Sequence, residues 1–306
     1  MQLQPITSSL INITRKAVKF LQRDFFELEM LQSSKHDKNI EQFCTKAFLR
    51  TKTLLRDELQ KHSKFLYFPG DKFEITDSPE SVLFICPIDS MANFAKSLPF
   101  FGISITYLRK INHTLIPTNA VINFPALGEI YYAEKGAGFW LEKSTYNFDK
   151  AIRLRVSGYS NIDKATIATE YIDNYFSSTK NIRHFGSYCY EVALLGSGKL
   201  DAVCFSAIDN ILKPGFELMV RESGGLIIQN RFSLNSLDSS RVKEEPELKI
   251  AAELSGSKVA NTIPTEKISA EALSQKSASD HFDFIATNYD LAGKFEQILA
   301  KKLFNG

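Results

Sequence analysis

The chain has 306 residues, of which 44% are hydrophobic, and its 37 lysines and arginines against 35 aspartates and glutamates give a formal net charge of +2. This length and composition predict a globular protein with a large buried core, in one layered domain or in two of about 150 residues each. A near-neutral charge offers no broad basic surface, so we expect no direct nucleic-acid binding.

The chain shows no pattern of membrane insertion or secretion. Its apolar runs stay well short of the ~18 residues that a membrane-spanning helix needs, and the first residues lack the charged and apolar regions of a signal peptide. We therefore expect a cytoplasmic protein with no membrane partner. The cysteines are widely spaced and include no CxxC pair, which predicts reduced, buried thiols in place of disulfides or a zinc site: Cys44, Cys86, Cys189 and Cys204.

Two long amphipathic helices are predicted at the start of the chain, over about 6–31 and 39–62, because apolar residues recur there at helical spacing. The period then changes to that of strands. Short segments rich in β-branched and aromatic residues, bounded by Pro, Gly, Asn or Asp, predict a mostly antiparallel meander: KFLYF, VLFICPI, GISITYLR, AVINFP and EIYYAEKGAGFWLE.

Beyond about residue 151 the signals alternate between strand and helix, which predicts a smaller α/β unit. Its elements are expected at ATIAT, SYCYEVALLGSGK, LDAVCFS, GFELMVRESGG, LIIQ and FDFIATNYDLAGKFEQILAKKLF. A Ser-, Lys- and Glu-rich stretch near 230–280 predicts a polar insertion. We therefore divide the chain into an N-terminal unit, 1–150, and a C-terminal unit, 151–306.

Several segments in both units follow one known pattern. The first is an opening helix, RKAVKFLQRDFFELEMLQSSK, and the second is a strand pair that ends in a Gly-x-Gly-aromatic turn, GEIYYAEKGAGFWLE. A Gly-Ser helix then leads into a strand, FGSYCYEVALLGSGKLDAV. The last two are a helix that ends in Gly-Gly, MVRESGG, and a closing strand and helix, IATNYDLAGKF. Together they resemble the inositol monophosphatase family, particularly its bacterial extragenic suppressor branch. The resemblance implies a five-layer αβαβα sandwich, commonly a homodimer, that hydrolyses small phosphate monoesters with Mg²⁺.

The resemblance places the family's metal-binding signature at residues 86–94. The family has Asp-Pro-Ile/Leu-Asp-Gly-Thr-Thr-Asn-Phe, whereas this chain has CPIDSMANF. Asp89 and the carbonyl of Ile88 correspond to metal ligands, but Cys86 stands where the other Asp would be. Mg²⁺ prefers oxygen ligands in octahedral geometry, so a thiol is a poor replacement.

The resemblance also indicates the side that would face a phosphorylated substrate. Ser90 replaces the Gly whose backbone approaches the phosphate, and Met91 replaces a Thr whose hydroxyl it cannot supply. Gly186 and Ser187 match the family's Gly-Ser helix start. The resemblance therefore implies Ser90, Gly186 and Ser187 as substrate-binding residues.

Two further metal carboxylates of the family are missing. Gly70 occupies the position of a Glu that binds metal, and counting without gaps from either neighbouring motif places Leu212 where the last Asp would be. The nearby Asp71 and Asp209 could substitute for these ligands after a local shift. A substrate-facing acid of the family falls on Phe205, and an acid of its second helix falls on Cys44.

The surviving site residues have alternative interpretations. Asp89 could hold one Mg²⁺ together with a substrate phosphate, or it could simply accept hydrogen bonds from loop amides. Cys86 could be a nucleophile or a soft-metal ligand, or an inert buried thiol. Asp71 and Asp209 could equally be surface turn residues.

Three hypotheses about function follow. The first is a family member with little or no Mg²⁺-dependent activity, which acts by binding a small phosphorylated ligand or a protein partner; the suppressor branch is linked to the transcription machinery. The second is an active Mg²⁺-dependent phosphatase with a rearranged site built from Asp71, Asp89 and Asp209. The third, an unrelated binding protein, conflicts with a resemblance that extends into both halves.

Overall fold

A computed structural model describes residues 3–32, 37–71, 79–143, 151–170, 181–206, 208–230 and 282–301. The predicted polar insertion near 230–280 lies outside these residues apart from its first position. Both opening helices are confirmed, as α1 (Pro5–Gln32) and α2 (Asp37–Leu59). None of the described helices combines the length and the apolar composition that spanning a bilayer requires.

The predicted meander is a seven-stranded sheet whose strands lie in chain order. Its first pair is parallel and the remaining pairs are antiparallel. The strands are β1 (Leu66–Tyr67), β2 (Ser81–Asp89), β3 (Gly102–Ile111), β4 (Thr114–Phe124), β5 (Glu129–Glu134), β6 (Gly138–Lys143) and β7 (Ile152–Leu154). The short helix α3 (Met91–Ala95) follows β2 directly.

The C-terminal part forms a five-stranded mixed sheet in the order β11-β12-β10-β8-β9. Its strands are β8 (Thr166–Thr169), β9 (Asn181–Arg183), β10 (Ala202–Phe205), β11 (Leu226–Asn230) and β12 (Phe284–Thr287). A 3-10 turn (Ile162–Lys164) precedes β8. Among the described residues of this part, the α-helices are α4 (Tyr188–Gly196), α5 (Lys213–Glu222) and α6 (Tyr289–Lys301).

Three separate apolar cores show that the elements form five layers. The first core lies between α1 and α2 and one face of the large sheet. The second contains the other face of that sheet, α4, α5 and the facing side of the small sheet. The third packs α6 against the outer face of the small sheet. The αβαβα sandwich is therefore confirmed, with α4 and α5 as its middle layer.

Strand β2 explains how the sequence places the candidate site in the interior. Helices cover both faces of the sheet at this strand, so β2 is apolar on both sides instead of alternating with polar residues. Phe84 and Cys86 face the middle layer, while Leu83 and Ile85 face α1 and α2. The pairing of β2 with β3 shifts register between Cys86 and Asp89, an irregularity that re-aims the end of the strand.

A single carboxylate joins the β5–β6 turn to the middle helical layer. Glu222, at the C-terminal end of α5, accepts hydrogen bonds from the amides of Gly136 (2.6 Å) and Gly138 (2.8 Å), one on each carboxylate oxygen. Hydrogen bonds to charged groups are stronger than those between neutral groups. Glu222 therefore fixes the turn of the large sheet against the helix that borders the candidate site.

We expect Glu222→Gln to lower the free energy of unfolding by about 1–2 kcal/mol, because one turn amide loses its acceptor and the other loses a charged one. Urea denaturation measures this loss. The matched control is Glu217→Gln on the same helix, where an exposed pair with Arg221 (2.8 Å) is lost at a cost below about 0.5 kcal/mol. Equal losses in the two variants would contradict the bridging role of Glu222.

Candidate functional site

The candidate site begins where β2 ends and the backbone turns sharply into α3. Ser90, directly after Asp89, has a left-handed conformation with φ 63°. That conformation suits glycine, which is the residue the family signature has at this position. The Ser90 side chain accepts a hydrogen bond from the amide of Asn93 at 3.4 Å and so caps α3. Ser90, predicted as a substrate-binding residue, thus has a structural contact within its own turn, as the cap of α3.

Asp89 is buried, with 5% exposure, and points at the N-terminus of α4. Its Oδ2 accepts hydrogen bonds from the Ser187 hydroxyl (2.5 Å) and from the Cys189 amide (3.2 Å). Ser187 in turn caps α4 by accepting from the amide of Tyr190 at 3.1 Å. The N-terminus of a helix carries partial positive charge, so this position is favourable for a carboxylate. Asp89 therefore supplies from within the chain the anion that such a helix end attracts.

Two effects act in opposite directions on the Asp89 carboxyl. Burial raises its pKa, because the charged form loses its hydration, whereas the hydrogen bonds from Ser187 and Cys189 lower it. Burial is the larger effect, so the pKa of Asp89 lies above its usual range. The hydrogen bonds leave the carboxyl only partly compensated for its burial.

The four substituted ligand positions are occupied by groups that cannot bind a hard cation through their side chains. Cys86 and Leu212, at 6% and 5% exposure, pack in the core between the two sheets. Met91, at 4% exposure, packs beneath α1 and α2. Gly70 has no side chain and adopts φ 80°. Three of these four residues, Cys86, Met91 and Leu212, therefore make apolar packing contacts.

The two acids that could substitute make local turn contacts. Oδ2 of Asp71 accepts from the amide of Phe68 at 2.9 Å, and its Oδ1 lies 3.9 Å from Nζ of Lys52. Oδ1 of exposed Asp209 accepts from the amide of Ile211 at 3.1 Å. Within the described ranges, no three His, Cys, Asp or Glu side chains are placed to hold a metal. The donor set of these residues does not fit the Mg²⁺ ions that the resemblance implies.

The scaffold around the site is held by Asn93 and Gly186. The Asn93 amide nitrogen donates to the carbonyl oxygens of Phe100 and Phe185, both at 2.8 Å, and so ties the loop after α3 to the loop before α4. Gly186 has φ 70°, and a Cβ there would lie 3.3 Å from Oδ1 of Asn93. The positive φ favours glycine at this position, and a Cβ would also press against the Asn93 side chain.

Comparison with known proteins identifies the family. A sequence model described as the inositol monophosphatase family matches residues 2–254. The chain belongs to this family. It is 26% identical over 235 residues to the inositol-1-monophosphatase of Caulobacter vibrioides, covering 71% of this chain and 87% of that protein. It is 23% identical over 241 residues to the Nus factor SuhB of Escherichia coli, and the match covers 74% of this chain and 85% of that protein.

The fold of this inositol monophosphatase family member is shared with solved structures. The crystal structure of extragenic suppressor protein suhB from Bartonella henselae superposes with a TM-score of 0.65 at 20% identity, covering 98% of this chain and 100% of that one. At this identity the likeness shows the fold alone. The sequence model confirms the resemblance to the family, and the similarity to suppressor-branch proteins is found both in sequence and in fold.

The sequence analysis missed two carboxyls near Asp89, the buried Glu191 and the half-buried Glu170. Glu191 on α4 is fully buried, and burial raises its pKa to about 8. Glu170, at the end of β8, accepts from the hydroxyl of Ser206 and from its amide at 3.3 Å. Glu170 also accepts from the Tyr188 hydroxyl, and burial is the main reason that the pKa of Tyr188 is raised. The available signal was the lone glutamate in the apolar helix SYCYEVALLG.

The geometry predicts that Asp89 acts as a helix cap. We expect Asp89→Ala to lower the free energy of unfolding by about 2–4 kcal/mol, because the Ser187 hydroxyl and the Cys189 amide lose their acceptor. Asp89→Asn keeps a neutral acceptor of the same shape and should cost less than about 1 kcal/mol. Urea denaturation, in EDTA and in excess Mg²⁺, measures the stability loss of each variant. Equal losses in the two variants would contradict the cap role.

Proposed function

We propose that this inositol monophosphatase family member has little or no Mg²⁺-dependent phosphatase activity and acts by binding a protein partner or a small phosphorylated ligand. The observation that carries the proposal is the use of Asp89 inside the protein. Its carboxylate accepts from Ser187 (2.5 Å) and Cys189 (3.2 Å), so binding a cation would have to compete with the cap of α4.

The energetics of a hard cation support this proposal. Mg²⁺ dehydrates reluctantly and needs negatively charged oxygens to offset the lost water. Removing a carboxylate from a site for two such ions weakens affinity by several kcal/mol, because the charge that offsets dehydration is lost. Carboxylates are missing at Gly70, Cys86 and Leu212, and Met91 lacks the hydroxyl that would serve the site.

An active phosphatase with a rearranged site is the alternative. It is favoured by the family's activity and by Asp89, which keeps the position of a family ligand. This alternative would use Asp71 and Asp209 as further carboxylates. It requires both residues to leave the turn contacts that they make with Phe68 and Ile211.

A phosphatase assay with inositol monophosphate and Mg²⁺, combined with calorimetric Mg²⁺ titration, separates the two. We expect no turnover above background, no saturable Mg²⁺ binding at millimolar concentration, and no difference between the wild type and Asp89→Asn. Turnover that depends on Mg²⁺ and disappears in Asp89→Asn would establish the alternative instead.

A matched gain-of-function variant tests the reason for inactivity. It restores the family's oxygen ligands with Gly70→Glu, Cys86→Asp, Met91→Thr and Leu212→Asp. We expect this variant to bind Mg²⁺ measurably tighter than the wild type, since the three added carboxylates offset ion dehydration. Because buried carboxylates repel one another, it should also become more stable when Mg²⁺ is added, unlike the wild type.

The partner is proposed from the family. From the family resemblance we infer a cytoplasmic homodimer. Because a relative is named Nus factor SuhB, we also infer a contact with the transcription machinery. Sedimentation equilibrium should give about twice the chain mass. Co-purification from cells should recover components of the transcription machinery, and a monomer that recovers none of them would contradict this part of the proposal.

A further inference from the structure

The outer surface of the α1–α2 layer carries apolar side chains that the core does not bury. Phe20 and Phe26 on α1 and Leu49 on α2 are 41%, 63% and 42% exposed. The opposite sides of both helices pack on the large sheet, so these three side chains add nothing to that core. Single exposed apolar residues are ordinary, whereas several on one layer are typical of an interaction surface.

A hollow of about 520 Å³ runs along α2 on this outer surface. We define the hollow by the residues that line it, Leu49, Arg50, Thr53, Leu54, Asp57 and Glu58. Contacts with α1 border it, because the Arg50 guanidinium lies 5.9 Å from the centre of the Phe20 ring and Nζ of Lys16 lies 3.0 Å from Oε1 of Glu58. The hollow therefore has apolar walls, a cation at one end and two acids at the other.

The Arg50 end of the hollow keeps an excess of positive charge. Arg50 pairs with the carboxylate of Asp24, which is buried beneath it, and Nη2 of Arg23 lies 3.6 Å from the other oxygen of the same carboxylate. One carboxylate cannot neutralise two guanidinium groups. A docking partner would therefore be favoured if it brought a negative charge to this end of the hollow.

Alpha-helix α1 itself presents a group of the complementary chemistry. We define the knob as Phe26 and Glu27, which project from the C-terminal half of this helix. Glu27 is exposed and has no ion-pair partner among the residues that the structure describes. An aromatic ring beside a carboxylate matches a hollow that has apolar walls and an arginine at its end.

The knob and the hollow lie on neighbouring helices of the same outer layer. A twofold axis in the plane of this surface, midway between them, would place the knob of each copy on the hollow of the other. We propose that a second copy of this chain docks on the outer surface of α1 and α2, with Phe26 in the partner's hollow and Glu27 facing Arg50 of the partner subunit. This inference assigns an interface to the proposed homodimer and rests on that part of the proposed function.

The twofold symmetry makes each knob residue count twice. Every substitution in the chain removes both copies of its contact, so its effect on the dimer is about the square of the effect on one contact. An aromatic side chain that leaves water on docking is also the kind of residue that dominates interface affinity. Exposed positions such as Phe26 can be changed without disturbing the core beneath them.

Sedimentation velocity over a range of protein concentrations measures the dissociation constant of the dimer. We expect Phe26→Ser to raise it at least about thirtyfold, because two phenyl rings lose their burial. Glu27→Lys should raise it at least about tenfold, because two attractions to arginine become repulsions. The matched control is Tyr289→Ser, at an aromatic residue 75% exposed on α6 in the opposite outer layer, which should change the constant by less than about twofold.

A mixing experiment tests whether the knob and the hollow meet each other. Thr53→Trp fills the hollow and should weaken the dimer as Phe26→Ser does. A mixed dimer of these two variants keeps one intact contact, between the knob of the Thr53→Trp chain and the hollow of the Phe26→Ser chain, whereas neither variant alone keeps any. Native mass spectrometry should therefore find the mixed dimer above its statistical share, and a statistical mixture would overturn the proposal.

The other outcomes separate this interface from the homodimer itself. A wild-type dimer that none of the three substitutions weakens would overturn this interface and leave the proposed homodimer standing. A wild type that stays monomeric at every concentration would overturn both. A monomer that cosediments with vesicles of phosphatidylcholine and phosphatidylserine, but not after Phe26→Ser, would assign the surface to lipid and overturn docking of a second copy.

Discussion

The contact between Asp89 and the N-terminus of α4 is the constraint on which the centre of this molecule depends. It joins the last residue of a strand in the large sheet to the first turn of a helix in the middle layer, 98 residues later in the chain. Both partners are buried, so the unsatisfied amide and hydroxyl groups of the helix start must find an acceptor inside the protein. Asp89 provides it, and it thereby aligns the two sheets across the layer that they share.

The same part of the structure has apolar side chains at positions where the family resemblance predicts metal ligands. Clustered carboxylates repel one another unless cations neutralise them. Here cysteine, methionine and leucine stand at three of those positions, and all three are buried. Burial of a side chain as large as methionine or leucine stabilises the fold by about 1.5–3 kcal/mol, and burial of the smaller cysteine by less. An unpaired charged side chain buried at the same position would destabilise the fold. The remaining acid, Asp89, accepts from the Ser187 hydroxyl and the Cys189 amide, and these hydrogen bonds offset part of the cost of its burial.

Local sequence patterns were sufficient to predict the long elements, whereas the five layers were predicted from the family resemblance. The apolar periodicity of α1 and α2, the both-sided apolar run of β2 and the Gly-Gly end of α5 each determine their element through nearby residues. The short elements α3, β7 and β9 carried too few residues for a period to be visible. The division at residue 150 and the roles of the site residues stay predictions.

The interactions of the site could not be predicted, because they join residues that are distant in sequence. Nothing near Asp89 indicates that its partner is Ser187, and nothing near Glu191 indicates that Asp89 and Glu170 face it. The αL conformation of Ser90 follows from the family signature, which has glycine there, but its capping contact with Asn93 does not. Burial of a carboxyl is a property of the assembled layers, so its raised pKa becomes visible only in the fold.

The residues that match the family pattern are those that packing itself requires. A Cβ on Gly225 would lie 2.8 Å from Cγ1 of Val220 and 3.1 Å from the carbonyl oxygen of Thr287, so a larger residue would push α5 away from β12. Asn93 ties the loop after α3 to the loop before α4 through its two hydrogen bonds. Gly186, in the second of these loops, lies close to the Asn93 side chain. Gly70, Cys86 and Leu212, the positions where the resemblance predicts family carboxylates, make no comparable polar tie: Cys86 and Leu212 pack in the core, and Gly70 has no side chain. The contacts of Gly225, Asn93 and Gly186 are therefore contacts that the packing of the layers depends on.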